Sequence, residues 1–284
     1  MSFLDHIAAC NRHDMDRFRP LVLADRHVGW VRHDVAWHLE DYRDVFAVTA
    51  DAVVLAPGLT TPAQRSEAVD RVCRDLHRHW HTPALRGERY RVTPRWGEAE
   101  LMTLDRAVVS LFGVRAFGVH VNGFVRNGAD LALWVGRRAA DKTVAPGKLD
   151  NMIAGGQPAH LSLMGNLVKE AAEEASVPEA LARQARPVGA ISYCCEDEWG
   201  LKPDVMFCYD LEVPAGFRPV NADGEVADFT LMDAREVAER VRDGDDFKFN
   251  VNLVVLDFLV RHGILDPDSE PDYVEIVHGL KRGW

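Results

Sequence analysis

Between Asp150 and Val177 the chain reads Asp-Asn-Met-Ile-Ala-Gly-Gly-Gln-Pro-Ala-His-Leu-Ser-Leu-Met-Gly-Asn-Leu-Val-Lys-Glu-Ala-Ala-Glu-Glu-Ala-Ser-Val, a glycine turn feeding a helix. Leu163, Leu167, Ala171 and Ala175 recur every four residues, so helical winding puts them on one face. Ser162 is the expected N-cap, without a Glu or Gln at the capping-box position. The same winding gathers Glu170, Glu173 and Glu174, spaced i, i+3, i+4, on one side of a single turn. Like charges at this spacing oppose one another by roughly 0.2–0.5 kcal/mol per pair. They also sit near the helix C-terminus, where the macrodipole disfavours anions. Mg²⁺ or Mn²⁺, which takes hard oxygen ligands, would remove the conflict. A solvated acidic face has the same spacing, so spacing alone leaves both readings open.

Composition narrows the partners. A formal net charge of −11 over 284 residues argues against an electrostatic grip on nucleic acid or anionic membrane, which requires clustered Lys and Arg. No run of eighteen apolar residues reads as a membrane span, and the start lacks a basic segment followed by an apolar one, so cytoplasmic location is the expectation. The five cysteines, Cys10, Cys73, Cys194, Cys195 and Cys208, form no CxxC pair and are expected as buried thiols.

The length suggests two domains, read here as 1–114 and 115–284. In the first, a helical start at Leu4–Cys10 precedes a hairpin over Arg19–Val31, a short helix at Val35–Leu39 and strands near Val45–Val48 and Ala52–Leu55. A helix follows over Pro62–Trp80, then a strand begins at Arg86, and Leu104–Phe112 reads as a helix ended by Gly113. His77, His79 and His81 do not share a helical face and are read as solvated or loosely packed. In the second, strands beginning at Phe117 and Ala129 flank an Asn-Gly turn. Further strands fall at Pro187–Cys195, Pro203–Val213 and around Phe229, with helices at Asp233–Arg242 and Asn250–Arg261. Strands grouped around helices, without strict alternation, imply an α/β fold with a mixed sheet between helical layers, preceded by a small α+β domain.

The central stretch resembles the Nudix box, in which a Gly precedes by fifteen residues the first acid of an Arg-Glu-aliphatic-x-Glu-Glu-x-Gly-aliphatic run. Here Gly155 precedes Glu170 by fifteen, and Lys169 to Val177 follows in register. Leu161 stands where the family has a Glu, Lys169 replaces the Arg, and Ser176 replaces the closing Gly. Other strings resemble the Nudix group that carries an extra N-terminal domain and has relatives fused to thiamine pyrophosphokinase. They are Gly118-Val-His-Val-Asn-Gly, Pro146-Gly-Lys-Leu-Asp-Asn-Met, Asp223-Gly-Glu-Val and Phe247-Lys-Phe-Asn-Val.

The resemblance implies a Nudix α/β/α sandwich that hydrolyses a diphosphate linkage with Mg²⁺, or Mn²⁺, held by Glu170, Glu173 and Glu174. It implies Glu225 as a further ligand or general base and Lys169 as an orienting cation. Arg137, Arg138 and Lys148, with Gly155, Gly156 and Trp199, are the candidate substrate contacts, the alternative for the cations being solvated loop charges. The implied substrate is thiamine diphosphate or an oxidised derivative, cleaved to the monophosphate. A nucleotide sugar or other nucleoside diphosphate derivative, or a binding module without turnover, remains open. The expected partner is a small-molecule diphosphate, with no nucleic acid and no membrane; a homodimer stays open.

Overall fold

The computed structural model describes residues 2–281. Its first elements are α1 (Phe3–Cys10), the hairpin β1 (Phe18–Leu23) and β2 (Arg26–Arg32), α2 (His33–Leu39), β3 (Phe46–Val48), β4 (Val53–Leu55) and α3 (Pro62–His79). The hairpin turns at Ala24 and Asp25, both at positive φ (47° and 58°). β2-β1-β4-β3 make a four-stranded sheet in which β1 and β4 run parallel. Thr61 and Gln64 cap α3 reciprocally, and its Val69, Val72, Cys73 and Leu76 bury against the sheet's core.

β5 (Arg89–Val92) and β6 (Met102–Asp105) pair as a separate two-stranded sheet. This corrects the helix expected over Leu104–Phe112. Leu104 belongs to β6, and only the single 3₁₀ turn Arg106–Val108 follows. Asp105 ends the strand by accepting from Ala107 N at 2.9 Å while its other oxygen takes Arg86 N and Gly87 N at 3.0 and 2.6 Å. The apolar spacing that imitates a helix reflects separate residues packing into the same core.

The second part contains β7 (Phe117–Asn127), β8 (Asp130–Arg138), β9 (Leu149–Asp150), β10 (Ile153–Gly156), α4 (Leu163–Ala175), α5 (Glu179–Ala182), β11 (Arg186–Glu196), β12 (Leu201–Glu212), β13 (Val226–Asp233), α6 (Ala234–Asp243), α7 (Val251–Arg261) and α8 (Tyr273–Leu280). A seven-stranded sheet runs β11-β12-β7-β8-β13, with β10 on β7 and β9 on β8. β12 and β7 are parallel and the other pairs antiparallel, as a mixed sheet requires. Strand alternation divides its side chains: Val119, Val121, Tyr209 and Leu211 meet Leu167, Ala171 and Ala175 of α4. Phe124, Leu133, Tyr193 and Cys208 face α7, α6 and α8 on the other side. The result is the expected α/β/α sandwich.

Helix α1 packs within that sandwich, since Phe3, Ile7 and Cys10 join the core of α7 and α8. α8 escaped the sequence reading; its Gly279 lets Ile7 approach, a Cβ there falling 2.9 Å from the Ile7 side chain. All five cysteines are buried and free. Among the described residues no helix is long and apolar enough to cross a membrane.

Candidate active site

The site is built where α4 lies across β10. β10 pairs with the first half of β7, Gly155 opposite Val119 and Gly156 opposite Gly118. The two glycines are required by close approach and not by backbone conformation. A Cβ on Gly155 would lie 2.3 Å from Glu170 Cδ, and one on Gly156 would lie 1.4 Å from Tyr90 Oη. The space over the glycines is therefore filled by Glu170 of α4 and Tyr90 of β5. Ser162 Oγ accepts from Gly165 N at 3.0 Å and caps α4. Ser176 ends it in the left-handed conformation, φ 51°, with Val177 N donating to Ala171 O at 2.9 Å. The conformation usually given to Gly is thus held by Ser.

Burying Leu167, Ala171 and Ala175 fixes where the three glutamates fall. Glu174 is buried, and its Oε2 accepts the N–H of Ala154 at 2.8 Å. Glu170 is largely covered, while Glu173 is half-exposed. The Lys169 ammonium spans these two, donating to Glu170 Oε1 at 3.2 Å and Glu173 Oε2 at 2.6 Å. Burial raises the Glu170 pKa against the opposition of Lys169. Burial pushes Glu174 well above the ordinary carboxylate range; the Ala154 N–H opposes this, and the charges of Asp150, Glu170 and Glu225 add to it.

Glu225 comes to the same place from the loop before β13. A narrow cleft with about 10 Å³ of room, about one water molecule, is lined by Arg138, Asp150, Ala154, Glu174 and Glu225. Burial would raise the Glu225 pKa, yet its ion pair with Lys142, and the charges of Arg106 and Arg138, hold it below the ordinary value. A wider open groove, about 560 Å³, lies by α3 and contains none of these carboxylates.

The remaining sequence candidates separate. Arg138 reaches the cleft, its Nη1 donating to Asp150 Oδ2 at 2.9 Å. Arg137 turns to Asp228, 3.7 Å away, and Lys148 to Asp245 at 2.9 Å. Trp199, in the β11–β12 turn, packs on His81 with ring centroids 4.9 Å apart, and lines neither opening.

Two groups lie beneath the cleft, Asp150 and Lys248, which the sequence offers only within strings that resemble the family, without a role for either. Asp150 is buried; burial alone would raise its pKa, but Lys248, His120 and Arg138 hold it low. Lys248 is brought within 3.7 Å of Asp150 because its backbone N–H donates to Leu149 O at 2.9 Å. A lone charge flanked by Leu149, Met152 and Ile153 was the available signal for Asp150.

The chain combines a mixed-sheet α/β/α sandwich with a carboxylate-bearing helix laid against a glycine strand, and comparison with known proteins gives the family. A family model described as "Domain of unknown function (DUF4743)" matches residues 2–116. Nudix hydrolase 24, chloroplastic, of Arabidopsis thaliana is 38% identical over 285 residues, covering 99% of this chain and 78% of the relative. Nudix hydrolase 20, chloroplastic, of the same plant is 37% identical over 291 residues with the same coverage. Among solved structures, the NUDIX domain of Shewanella oneidensis NrtR, complexed with ADP ribose, matches 53% of this chain and 90% of that one, at 15% identity and TM-score 0.42. The chain belongs to the Nudix hydrolase family, whose class of activity is hydrolysis of a diphosphate linkage.

Nudix hydrolases generally use a divalent metal such as Mg²⁺. Among the described residues no three His, Cys, Asp or Glu side chains converge as a ready ligand set. The donor chemistry fits a hard cation nonetheless. Glu170 and Glu174 are covered carboxylates short of counter-charge, and the field of Asp150 and Glu225 converges on Glu174.

Proposed function

We propose that the protein hydrolyses thiamine diphosphate, or an oxidised derivative of it, to the monophosphate and phosphate in a reaction that depends on Mg²⁺ or Mn²⁺. The observation that carries the chemistry is the Glu170–Glu174 pair on α4, Glu174 buried beside Glu225 without a cation bonded to it and Glu170 largely covered with only Lys169 as its counter-charge. The substrate reading is supported by the strings that resemble the thiamine-linked Nudix group.

Glu170, Glu173 and Glu174 would hold the metal, which when bound supplies positive charge to the phosphoryl oxygens and acidifies water. Glu225, held ionised by Lys142, is suited to take a proton from the attacking water. Arg138 faces the cleft and orients Asp150 beside Glu174. Arg137 and Lys148 flank the loop leading to it and join the diphosphate only if that loop moves.

The test is release of monophosphate from thiamine diphosphate, its oxidised forms, ADP-ribose, ADP-glucose and NADH, with Mg²⁺ and with chelator. Chelator-sensitive cleavage of the thiamine compounds is expected. Cleavage of a nucleotide in their place would discard the substrate and keep the metal-dependent chemistry.

A further inference from the structure

The N-terminal domain meets the site through its β5–β6 hairpin. Arg89 O accepts Ala159 N at 2.8 Å, Arg91 Nη2 donates to Ala159 O at 2.8 Å, and Tyr90 bridges to Pro158. β5 is thus bonded to the very segment that links β10 to α4. Tyr90 seats its hydroxyl over Gly156, one residue from the glycine that receives Glu170. Two residues before Tyr90 on the same hairpin, Glu88 pairs with Arg106, whose N donates to Glu88 O at 2.8 Å and whose Nη1 donates to Glu88 Oε2 at 2.9 Å. Their charges act across the domain boundary, Glu88 on Glu170 and Arg106 on Glu225.

We propose that Arg106 is a substrate-binding residue, a cation that the N-terminal domain contributes to the mouth of the Nudix site to hold the diphosphate. The inference rests on the diphosphatase reading. Glu88, Asp150, Glu170, Glu173, Glu174 and Glu225 crowd this region with negative charge, and an anionic ligand needs cations besides the metal. Arg138 and Lys248 are committed to buried Asp150, Lys142 to Glu225 and Lys169 to its neighbours on α4. Arg106 differs: its surroundings partly desolvate its charge, yet its side chain is 53% exposed and its partner Glu88 34% exposed, so the pair is open to a ligand from the solvent side. A guanidinium freed in this way offers the two-pronged geometry that phosphate oxygens accept.

The experiment is calorimetric titration of Mg²⁺-loaded protein with methylenediphosphonate, which binds without being cleaved, alongside thermal melting. Arg106→Ala is expected to weaken binding roughly 10- to 100-fold with an unchanged melting temperature. Arg106→Lys is expected to fall between. Glu88→Gln, which removes the competing carboxylate and leaves the shape, is expected to bind at least as tightly as the wild type. A merely structural ion pair would make Arg106→Ala and Glu88→Gln fail alike, and that result overturns the proposal, as does unchanged affinity in Arg106→Ala or no binding by the wild type. Turnover of thiamine diphosphate, assayed in parallel, is a separate reading. If it is absent while the binding pattern holds, the substrate assignment falls and the role of Arg106 stands.

Discussion

Glu174 Oε2 accepts the backbone N–H of Ala154 at 2.8 Å, so this carboxylate of the cleft is oriented by the strand beside it and not by a cation. That bond satisfies one lone pair and leaves the charge buried and opposed by Asp150, Glu170 and Glu225. Glu174→Gln keeps the shape and an oxygen for Ala154 but removes the charge. Hydrolysis is expected to fall by at least roughly 100-fold, since loss of a metal ligand should exceed the cost of losing a supporting residue. The melting temperature in chelator should hold or rise, because a buried charge has been neutralised. Full turnover by the variant would remove Glu174 from the metal site.

Lys169 occupies the place of the family's arginine and bonds both Glu170 and Glu173. Its ammonium and Glu173 are both exposed enough that the pair adds at most about 1 kcal/mol to stability. The role proposed for it is to orient these two carboxylates, which it bridges, before metal binds. Lys169→Ala should lower kcat roughly 10- to 100-fold and raise the Mg²⁺ concentration needed for half-maximal rate, whereas Lys169→Arg should retain most activity. An unchanged metal requirement in Lys169→Ala would show that the lysine does not orient the ligands.

Tyr90 lies on β5 and Gly156 on β10, and a methyl group on Gly156 would meet the Tyr90 hydroxyl 1.4 Å away. Gly156→Ala should destabilise the protein by roughly 1–3 kcal/mol and reduce activity, because β10 must shift and carry Gly155 and Glu170 with it. In a Tyr90→Phe background the cost should shrink, a coupling that a double-mutant cycle by chemical denaturation measures. Additive effects would mean that Tyr90 does not fill this space in solution.

These contacts mark how far the sequence could be followed. α4 was legible because Leu163, Leu167, Ala171 and Ala175 write its period, and packing then fixes where the glutamates fall. β10 looked like a turn because Gly155 and Gly156 carry no side-chain pattern; its strand character comes from pairing with β7. Leu104–Phe112 imitated a helix because tertiary packing imposed apolar residues at helical spacing, while Asp105 redirected the backbone. Tyr90 reads from sequence only as part of a strand in the string Arg89-Tyr-Arg-Val, and neither its place nor that of Arg106 beside the Nudix box is legible, since that relation exists only after two distant segments dock.

Beneath the cleft, His120 carries a pH dependence that can be isolated. It is fully buried on β7, and its Nδ1 lies 2.9 Å from Asn151 Oδ1. Burial, reinforced by the charge of Lys248, lowers its pKa from 6.5 to about 4, against the opposing pull of Asp150 and Asn151. The unfolded chain therefore binds a proton below pH 6.5 that the folded protein refuses until about pH 4. The resulting stability is fully present above 6.5 and is lost as the pH falls through this window, by about 3 kcal/mol. His120→Gln removes the titrating group and leaves Asp150 and Lys248 in place. Denaturant unfolding at pH 7 and pH 4.5 should show the wild type losing about 2–3 kcal/mol more than the variant over that interval. The comparison uses the slope with pH, so a packing defect in the variant shifts its curve without altering the test. Parallel curves would mean that His120 is protonated in the fold and that solvent reaches it.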